Sequence, residues 1–187
     1  MSRRVSMARF RRIKIPERDS RLGALYQEIL ESGLGTGHPI NWFTSQAERP
    51  DILEATWQLT KRLLFSGQLP PTVKQMIVVK VSTENQCRYC RVLHTTALEA
   101  MGVPAEVIDS LTTDVNLEKL TPPQRAIVQF GVKTAQDPRS VTDEDFETLR
   151  GHGFGDGEIM EVAMVAAFSN FINSWADVSA IEIDAGP

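Results

Sequence analysis

One segment of the 187-residue chain has the composition of a β-strand, and its isolation constrains the fold. Residues 76–82, Met-Ile-Val-Val-Lys-Val-Ser, are rich in β-branched side chains, which favour strands. No other stretch of the sequence reads as a partner strand, and a single strand leaves its backbone hydrogen-bonding groups unsatisfied. We therefore predict that residues 76–82 form a helix buried on most sides and that the chain is all-α.

The rest of the sequence has helical periodicity interrupted by glycine and proline. Apolar residues at helical spacing predict one helix over residues 22–32 and a second over residues 49–65. The predicted buried face of the second helix consists of Ile52, Thr56, Leu59 and Leu63. Capping sequences at residues 121–124 and 142–145 predict two helix starts, and a last long helix is expected from about residue 156 to residue 178.

The charges are distributed unevenly along the chain. Residues 1–21 carry eight basic and two acidic side chains, whereas the remainder carries 12 basic and 22 acidic ones, for a net charge of -4. We predict a basic N-terminal arm over residues 1–20 and a single helical domain over residues 21–187. The arm is typical of a solvated terminus; contact with a neighbouring subunit, a presequence and nucleic-acid binding are the alternatives. No basic patch interleaved with aromatic residues follows, so nucleic acid is not an expected partner.

Two other features bear on the class and location of the protein. The longest apolar run spans only the seven residues 162–168, whereas a membrane span needs about 20. The first 20 residues lack the apolar core and cleavage site of a secretory signal. We therefore expect no membrane partner and a cytoplasmic location.

The two cysteines form the motif that carries the most chemical information. Cys87 and Cys90 are too close in sequence for a bridge between them to add much stability, so a chemical role is favoured. If a helix begins near Asn85, then Cys87, Cys90 and His94 share one face. A helix N-terminus and neighbouring arginines stabilise a thiolate, and His94 lies one turn beyond Cys90, where it can accept a proton.

Other interpretations of the motif compete with a redox role. Zinc would take Cys87, Cys90 and His94 but needs a fourth ligand or an open position. Covalent haem requires a histidine directly after the second cysteine, where Arg91 stands. A thioredoxin domain would place the motif after a strand, which the helical pattern disfavours. Two buried structural cysteines remain possible, although the charged residues around them count against it.

The same residues resemble a known family signature. Residues 81–94, Val-Ser-Thr-Glu-Asn-Gln-Cys-Arg-Tyr-Cys-Arg-Val-Leu-His, are similar to the motif of the carboxymuconolactone decarboxylase/AhpD superfamily, and most resemble its alkyl hydroperoxidase D-like, peroxidase-related branch. The resemblance extends over about residues 20–178. It implies an all-helical AhpD-like bundle that assembles as a homo-oligomer through helix packing.

The resemblance also implies roles for the motif residues. In AhpD-type enzymes the second cysteine attacks the hydroperoxide and the first resolves the resulting sulfenic acid. Carried over, Cys90 is the attacking thiolate, Cys87 the resolving thiol and His94 the assisting base. A lipoyl- or thioredoxin-like dithiol is implied as the reductant.

The sequence departs from the family pattern at two positions. The glutamate that serves the family's proton relay, twelve residues before the first cysteine, is replaced by Gln75, and the histidine before the second cysteine is replaced by Tyr89. A glutamine cannot accept a proton, and tyrosine is a poor base near neutral pH. Glu84 is a candidate to substitute for the missing carboxylate.

We therefore predict a thiol-dependent hydroperoxidase or disulfide oxidoreductase without a cofactor or metal. Its expected substrate is a hydroperoxide or other small molecule. One alternative is an acid–base enzyme of the carboxymuconolactone decarboxylase type, against which the cysteine pair counts. A second alternative is a non-enzymatic, redox-sensing oligomeric protein, which Gln75 and Tyr89 motivate.

Overall fold

The computed structural model describes residues 8–184, and helices account for nearly all of its regular structure. The helices found in this range are α1 (Arg21–Glu31), α2 (Asn41–Thr44), α3 (Pro50–Thr60), α4 (Pro71–Glu84), α5 (Arg88–Ala100), α6 (Ala105–Thr113), α7 (Pro122–Gln136), α8 (Asp143–Gly151) and α9 (Asp156–Ser179). A π-helical turn, Lys61–Phe65, follows α3, and a 3-10 turn, Pro138–Ser140, follows α7. The predicted all-α class is confirmed.

Two short strands form the remaining regular structure described. Strand β1 (Gly35–Thr36) pairs with strand β2 (His38–Pro39) in antiparallel register, with Gly35 opposite Pro39. Gly35 has a φ of 129°, and an added Cβ would lie 2.2 Å from the His38 carbonyl oxygen. The tight hairpin therefore requires glycine at this position.

The chain divides into two compact units. The first comprises the described parts of Met1–Lys61 and Trp175–Pro187, and the second is Arg62–Ser174. The predicted boundary between a basic arm and a single domain over residues 21–187 stays a prediction.

Helix α4 forms the centre of the second unit, where it packs against α5, α6 and α7. The side chains of Ile77, Val78, Val79 and Val81 are fully buried. Gly131 of α7 permits close approach, because a Cβ there would lie 2.9 Å from the Ile77 side chain. The prediction of a buried helix over residues 76–82 is confirmed, since tertiary packing on all sides outweighs the strand preference of β-branched residues.

Both predicted capping sequences start helices. The backbone N–H of Thr121 donates to Gln124 Oε1 over 3.1 Å at the start of α7. The backbone N–H of Thr142 donates to Asp145 Oδ2 over 2.7 Å at the start of α8. Each pair forms a capping box, which satisfies backbone N–H groups that the helix itself leaves unpaired.

The predicted buried face of α3 is right at Thr56, which is buried, but wrong at Ile52 and Leu59. Ile52 and Leu59 are 44% and 40% exposed, whereas Leu53 and Trp57 are buried. Both sets of residues have helical spacing, so periodicity alone does not separate them. The face of α3 that is buried is the one that carries Trp57, because its large ring packs edge-on against Phe43, with ring centroids 5.6 Å apart.

The described part of the basic arm contacts the C-terminal segment within the first unit. The backbone N–H of Arg9 donates to the Ser179 carbonyl over 2.9 Å, and Phe10 stacks on Trp175 at 5.0 Å. Arg12 forms an ion pair with Glu182 at 2.8 Å. The prediction for residues 1–7 of the arm lies outside the described residues.

Between residues 8 and 184, none of the helices combines the length and apolar character needed to cross a membrane.

Candidate functional site

The turn between α4 and α5 sets the position of the first cysteine. Gln86 has a φ of +57°, and its N–H donates to the Thr83 carbonyl, while the Cys87 N–H donates to the Ser82 carbonyl over 3.0 Å. These two bonds form a Schellman motif, which closes the C-terminus of α4. The prediction of a helix start near Asn85 is therefore wrong: Asn85 is the C-cap of α4, and α5 begins at Arg88 with Cys87 as its N-cap.

The two cysteines lie at the N-terminal end of α5. Cys87 precedes the helix and Cys90 is its third residue; both are buried and both are thiols. The positive end of the helix dipole stabilises a thiolate in this first turn, whereas burial opposes its charge.

His94 is held by a residue from the neighbouring helix. Its Nδ1 lies 2.6 Å from Gln75 Oε1, which joins α5 to the centre of α4. An amide oxygen only accepts hydrogen bonds, so Nδ1 carries the proton and Nε2 keeps its lone pair. Burial lowers the pKa of His94 to about 4. The imidazole is therefore neutral at physiological pH and has one nitrogen able to accept a proton.

The lowered pKa of His94 predicts a loss of stability in mild acid. In the folded protein His94 takes up a proton only near pH 4, whereas in the unfolded chain it does so below about pH 6.5. The contribution of neutral His94 to the free energy of unfolding is therefore complete above pH 6.5 and declines as the pH falls toward 4. We expect His94 to account for a loss of about 2 kcal/mol between pH 7 and pH 5. Urea unfolding at both pH values measures this change. His94→Asn, which keeps a donor for Gln75, should remove it; an equal decline in both proteins would contradict the assignment.

The remaining predicted site residues lie close in sequence but have different surroundings. Tyr89 is the second residue of α5 and is buried. Glu84, the last residue of α4, is partly exposed and pairs with Lys80 Nζ at 2.9 Å. The structure thus brings Gln75 to His94, while the carboxylate of Glu84 is engaged by a lysine of its own helix. The relay roles of Tyr89 and Glu84 stay predictions.

A cluster of four amide side chains and one serine lies beside Cys87, and the sequence analysis did not predict it. We call it the Asn173 cluster; its members are Ser82, Asn85, Gln136, Asn170 and Asn173. Asn173 is buried, and its backbone carbonyl oxygen lies 3.9 Å from Cys87 Sγ. A signal was available, because Asn170 and Asn173 interrupt a mostly apolar helix sequence, and buried polar side chains need hydrogen-bond partners.

The zinc alternative requires a cluster of metal-binding side chains. Within residues 8–184, no three or more His, Cys, Asp or Glu side chains converge in an arrangement that could hold a metal ion.

Comparisons with known proteins identify a matching family and similar solved structures. The model of the carboxymuconolactone decarboxylase family matches residues 50–117, a range that includes Gln75, both cysteines and His94. No functionally curated protein matches the chain. A crystal structure described as an alkylhydroperoxidase AhpD core, an uncharacterized peroxidase-related protein from Ralstonia eutropha JMP134, is 33% identical, with 92% of each chain covered and a TM-score of 0.79.

Two further solved structures share the fold at lower identity. A peroxidase-related protein from Silicibacter sp. TM1040 is 24% identical over 99% of this chain and 96% of its own, with a TM-score of 0.86. A variant of the debrominase Bmp8 in complex with 2,3,4-tribromopyrrole is 18% identical over 96% of this chain and 95% of its own, with a TM-score of 0.77. The match to the Ralstonia protein spans almost the whole of both chains, and the family model covers the motif itself. The chain therefore belongs to the carboxymuconolactone decarboxylase superfamily, among its AhpD-like, peroxidase-related proteins.

Proposed function

We propose that this protein reduces hydroperoxides with Cys87 and Cys90 as a redox pair. The superfamily includes proteins named as peroxidase-related and as decarboxylases, and the dithiol favours the first activity. The observation that carries the proposal is the pair of buried thiols at the start of α5, one turn before a neutral histidine. A carboxylactone decarboxylase has no evident use for two adjacent thiols.

The proposed reaction proceeds in two steps. The Cys90 thiolate attacks the terminal oxygen of the hydroperoxide, the O–O bond breaks, and the alkoxide leaves as an alcohol after taking a proton. Cys90 is then a sulfenic acid. The Cys87 thiol attacks this sulfur, so that water leaves and a Cys87–Cys90 disulfide forms. A lipoyl- or thioredoxin-like dithiol returns two electrons and two protons to complete the cycle.

The surroundings of the two thiols support this division of roles. Cys87 Sγ–H donates to the backbone carbonyl oxygen of Asn173 over 3.9 Å, a weak contact that favours the protonated thiol. Both cysteines lie at the positive end of α5, where unpaired backbone N–H groups favour an anion, but Cys90 is one turn before His94, the candidate base. Cys90 is accordingly the better candidate for the thiolate.

His94 is the candidate acid–base group. Its lone pair at Nε2 accepts the Cys90 proton, directly or through a water, and later supplies a proton to the leaving alkoxide. Gln75 fixes the tautomer by accepting the Nδ1 hydrogen. His94 can therefore transfer a proton, but the neutral amide of Gln75 cannot balance the positive charge of the imidazolium as a carboxylate would.

A stoichiometric oxidation tests the proposal. One equivalent of tert-butyl hydroperoxide should convert the reduced protein to the Cys87–Cys90 disulfide, detected as a loss of two mass units, and dihydrolipoamide should reverse it. Protein alkylated with iodoacetamide is the control and should consume no peroxide. Decarboxylation of a γ-carboxylactone that survives alkylation would instead favour the acid–base enzyme. A disulfide that forms without turnover but changes the oligomer size would favour the redox sensor.

A glutamate at position 75 should make the reaction faster. In Gln75→Glu the carboxylate accepts the Nδ1 hydrogen of His94 and also stabilises the imidazolium, so the pKa of His94 rises toward neutrality. We expect kcat/KM for tert-butyl hydroperoxide to rise roughly tenfold at pH 7, because a base is most effective when its pKa lies near the working pH. Gln129→Glu, on the exposed side of α7, is the matched control. A raised His94 pKa seen by NMR with no change in rate would show that His94 does not assist the reaction.

A further inference from the structure

The Asn173 cluster ties the turn before Cys87 to helix α9. Asn85 Nδ2 donates to Asn173 Oδ1 and to Asn170 Oδ1, each over 2.8 Å. Asn85 Oδ1 in turn accepts from Gln136 Nε2 over 2.6 Å. The amide of Asn85 thus connects three helices, because Gln136 ends α7 and the two asparagines belong to α9.

Asn173 makes the connections nearest to the cysteine. Its Nδ2 donates to Ser82 Oγ over 2.9 Å, and its Oδ1 accepts from Asn85. Ser82 accepts the N–H of Cys87 with its carbonyl oxygen. The side chain of Asn173 therefore binds two residues at the C-terminal end of α4, while its backbone carbonyl faces Cys87 Sγ at 3.9 Å.

This arrangement affects the two cysteines unequally. A carbonyl oxygen accepts a hydrogen bond from a thiol but repels a thiolate, so the contact keeps Cys87 protonated. Cys90 is three residues further along, within the helix and one turn before His94. The carbonyl that contacts Cys87 belongs to a residue more than 80 positions away in the sequence.

We propose that Asn173 is a positioning residue that holds Cys87 as a thiol and thereby fixes Cys87 as the resolving and Cys90 as the attacking cysteine. The inference rests on the proposed redox role of the pair and deepens it. When the disulfide forms, Cys87 Sγ gives up its proton and its contact with the Asn173 carbonyl and bonds to Cys90 Sγ, with the hydroperoxide as the oxidant. The contact thus stabilises the dithiol relative to the disulfide.

The test compares alkylation of the two cysteines in the full chain. Reduced protein is treated with limiting iodoacetamide at pH 7.5, and mass spectrometry of its peptides gives the ratio of Cys90 to Cys87 alkylation. General loosening of the fold raises both rates together, whereas positioning by Asn173 alters their ratio. We expect Cys90 to react first in the wild type. In Asn173→Ala the backbone carbonyl is kept, but the side-chain bonds to Ser82 and Asn85 are lost, so Cys87 is held less firmly against that carbonyl and the ratio should fall about 2- to 10-fold, the range of one hydrogen bond. Ser174→Ala, an exposed neighbour on α9, is the control and should leave the ratio unchanged.

Two further variants distinguish positioning by Asn173 from a general folding defect. Ser82→Ala removes the acceptor for Asn173 Nδ2 and should lower the ratio in the same direction. Asn173→Asp keeps the acceptor for Asn85, and its charge disfavours an anion at Cys87, so it should preserve or raise the ratio. An unchanged ratio in both Asn173→Ala and Ser82→Ala, or equal reactivity of the cysteines in the wild type, overturns the inference.

The oxidation equilibrium provides an independent readout. In a dihydrolipoamide redox buffer, Asn173→Ala should form the disulfide more readily, up to about tenfold in equilibrium constant, which corresponds to about 30 mV for two electrons. A wild-type protein that never forms the disulfide would contradict the proposed function. A disulfide that forms with the same equilibrium constant in wild type and Asn173→Ala would contradict the role of Asn173 alone.

Discussion

Replacing Cys90 by serine is expected to abolish hydroperoxide turnover, with a loss of at least roughly 1,000-fold in kcat/KM. A serine hydroxyl occupies nearly the same volume as a thiol but is not ionised near neutral pH, so the nucleophile is lost while the packing of α5 is kept. The measurement is consumption of tert-butyl hydroperoxide in the presence of dihydrolipoamide. An unchanged melting temperature would show that the loss is chemical.

The matching Cys87→Ser variant should fail at a different step. Cys90 still attacks the hydroperoxide, but the serine cannot resolve the sulfenic acid, so one equivalent of peroxide is consumed and the reaction stops. Dimedone should label Cys90 in this variant, and mass spectrometry locates the adduct. If Cys90→Ser instead accumulates a sulfenic acid at Cys87, the roles of the two cysteines are exchanged. If Cys90→Ser keeps full turnover, the redox proposal is wrong.

Local sequence signals predicted the elements that local interactions determine. The capping boxes at Thr121 and Thr142 involve side chains and backbone groups within three residues of each other, and the structure confirms both helix starts. The buried character of α4 was also predictable, because its apolar residues leave no polar face for solvent. The motif placed Cys87, Cys90 and His94 near one helix.

The features that sequence reasoning missed depend on contacts between distant residues or on two competing local patterns. The face of α3 could not be chosen because two apolar faces have the same spacing, and only the contact of Trp57 with Phe43 separates them. The start of α5 was misplaced because Gln86, instead of a glycine, adopts the left-handed conformation that ends α4. The role of Asn173 depends on contacts with Ser82 and Asn85, which only the folded chain brings together.

A buried ion pair in the second unit is a further contact between residues that are distant in the sequence. Lys74 of α4, which is 1% exposed, pairs with Glu161 of α9 and also donates to the Ser66 carbonyl. Glu161 Oε2 accepts the backbone N–H groups of Gln68 and Leu69 over 2.8 and 3.1 Å. Burial opposes ionisation of Glu161, but the hydrogen bonds from Lys74 and these N–H groups outweigh it, so the pKa of Glu161 lies below its ordinary value.

Lys74→Met should destabilise the protein by roughly 3–5 kcal/mol, because it leaves the carboxylate of Glu161 buried without its counter-charge. Urea unfolding at pH 7 gives the loss. Lys133→Met is the matched control: its ion pair with Asp145 is more exposed, and we expect a cost below about 1 kcal/mol. Equal losses in the two variants would show that the buried ion pair contributes no more to the free energy of unfolding than the exposed one.

The pH dependence and a double variant separate lost charge from lost packing. Because the folded pKa of Glu161 is lowered, the pair stabilises the protein above the ordinary pKa of a glutamate, and this stability is lost as the pH falls through the folded value. The difference between wild type and Lys74→Met should therefore shrink in acid. Adding Glu161→Gln to Lys74→Met should recover part of the loss at pH 7, since a neutral amide oxygen still accepts from Gln68 and Leu69 without burying a charge. If the double variant is no more stable than Lys74→Met, the loss comes from the packing of the lysine side chain.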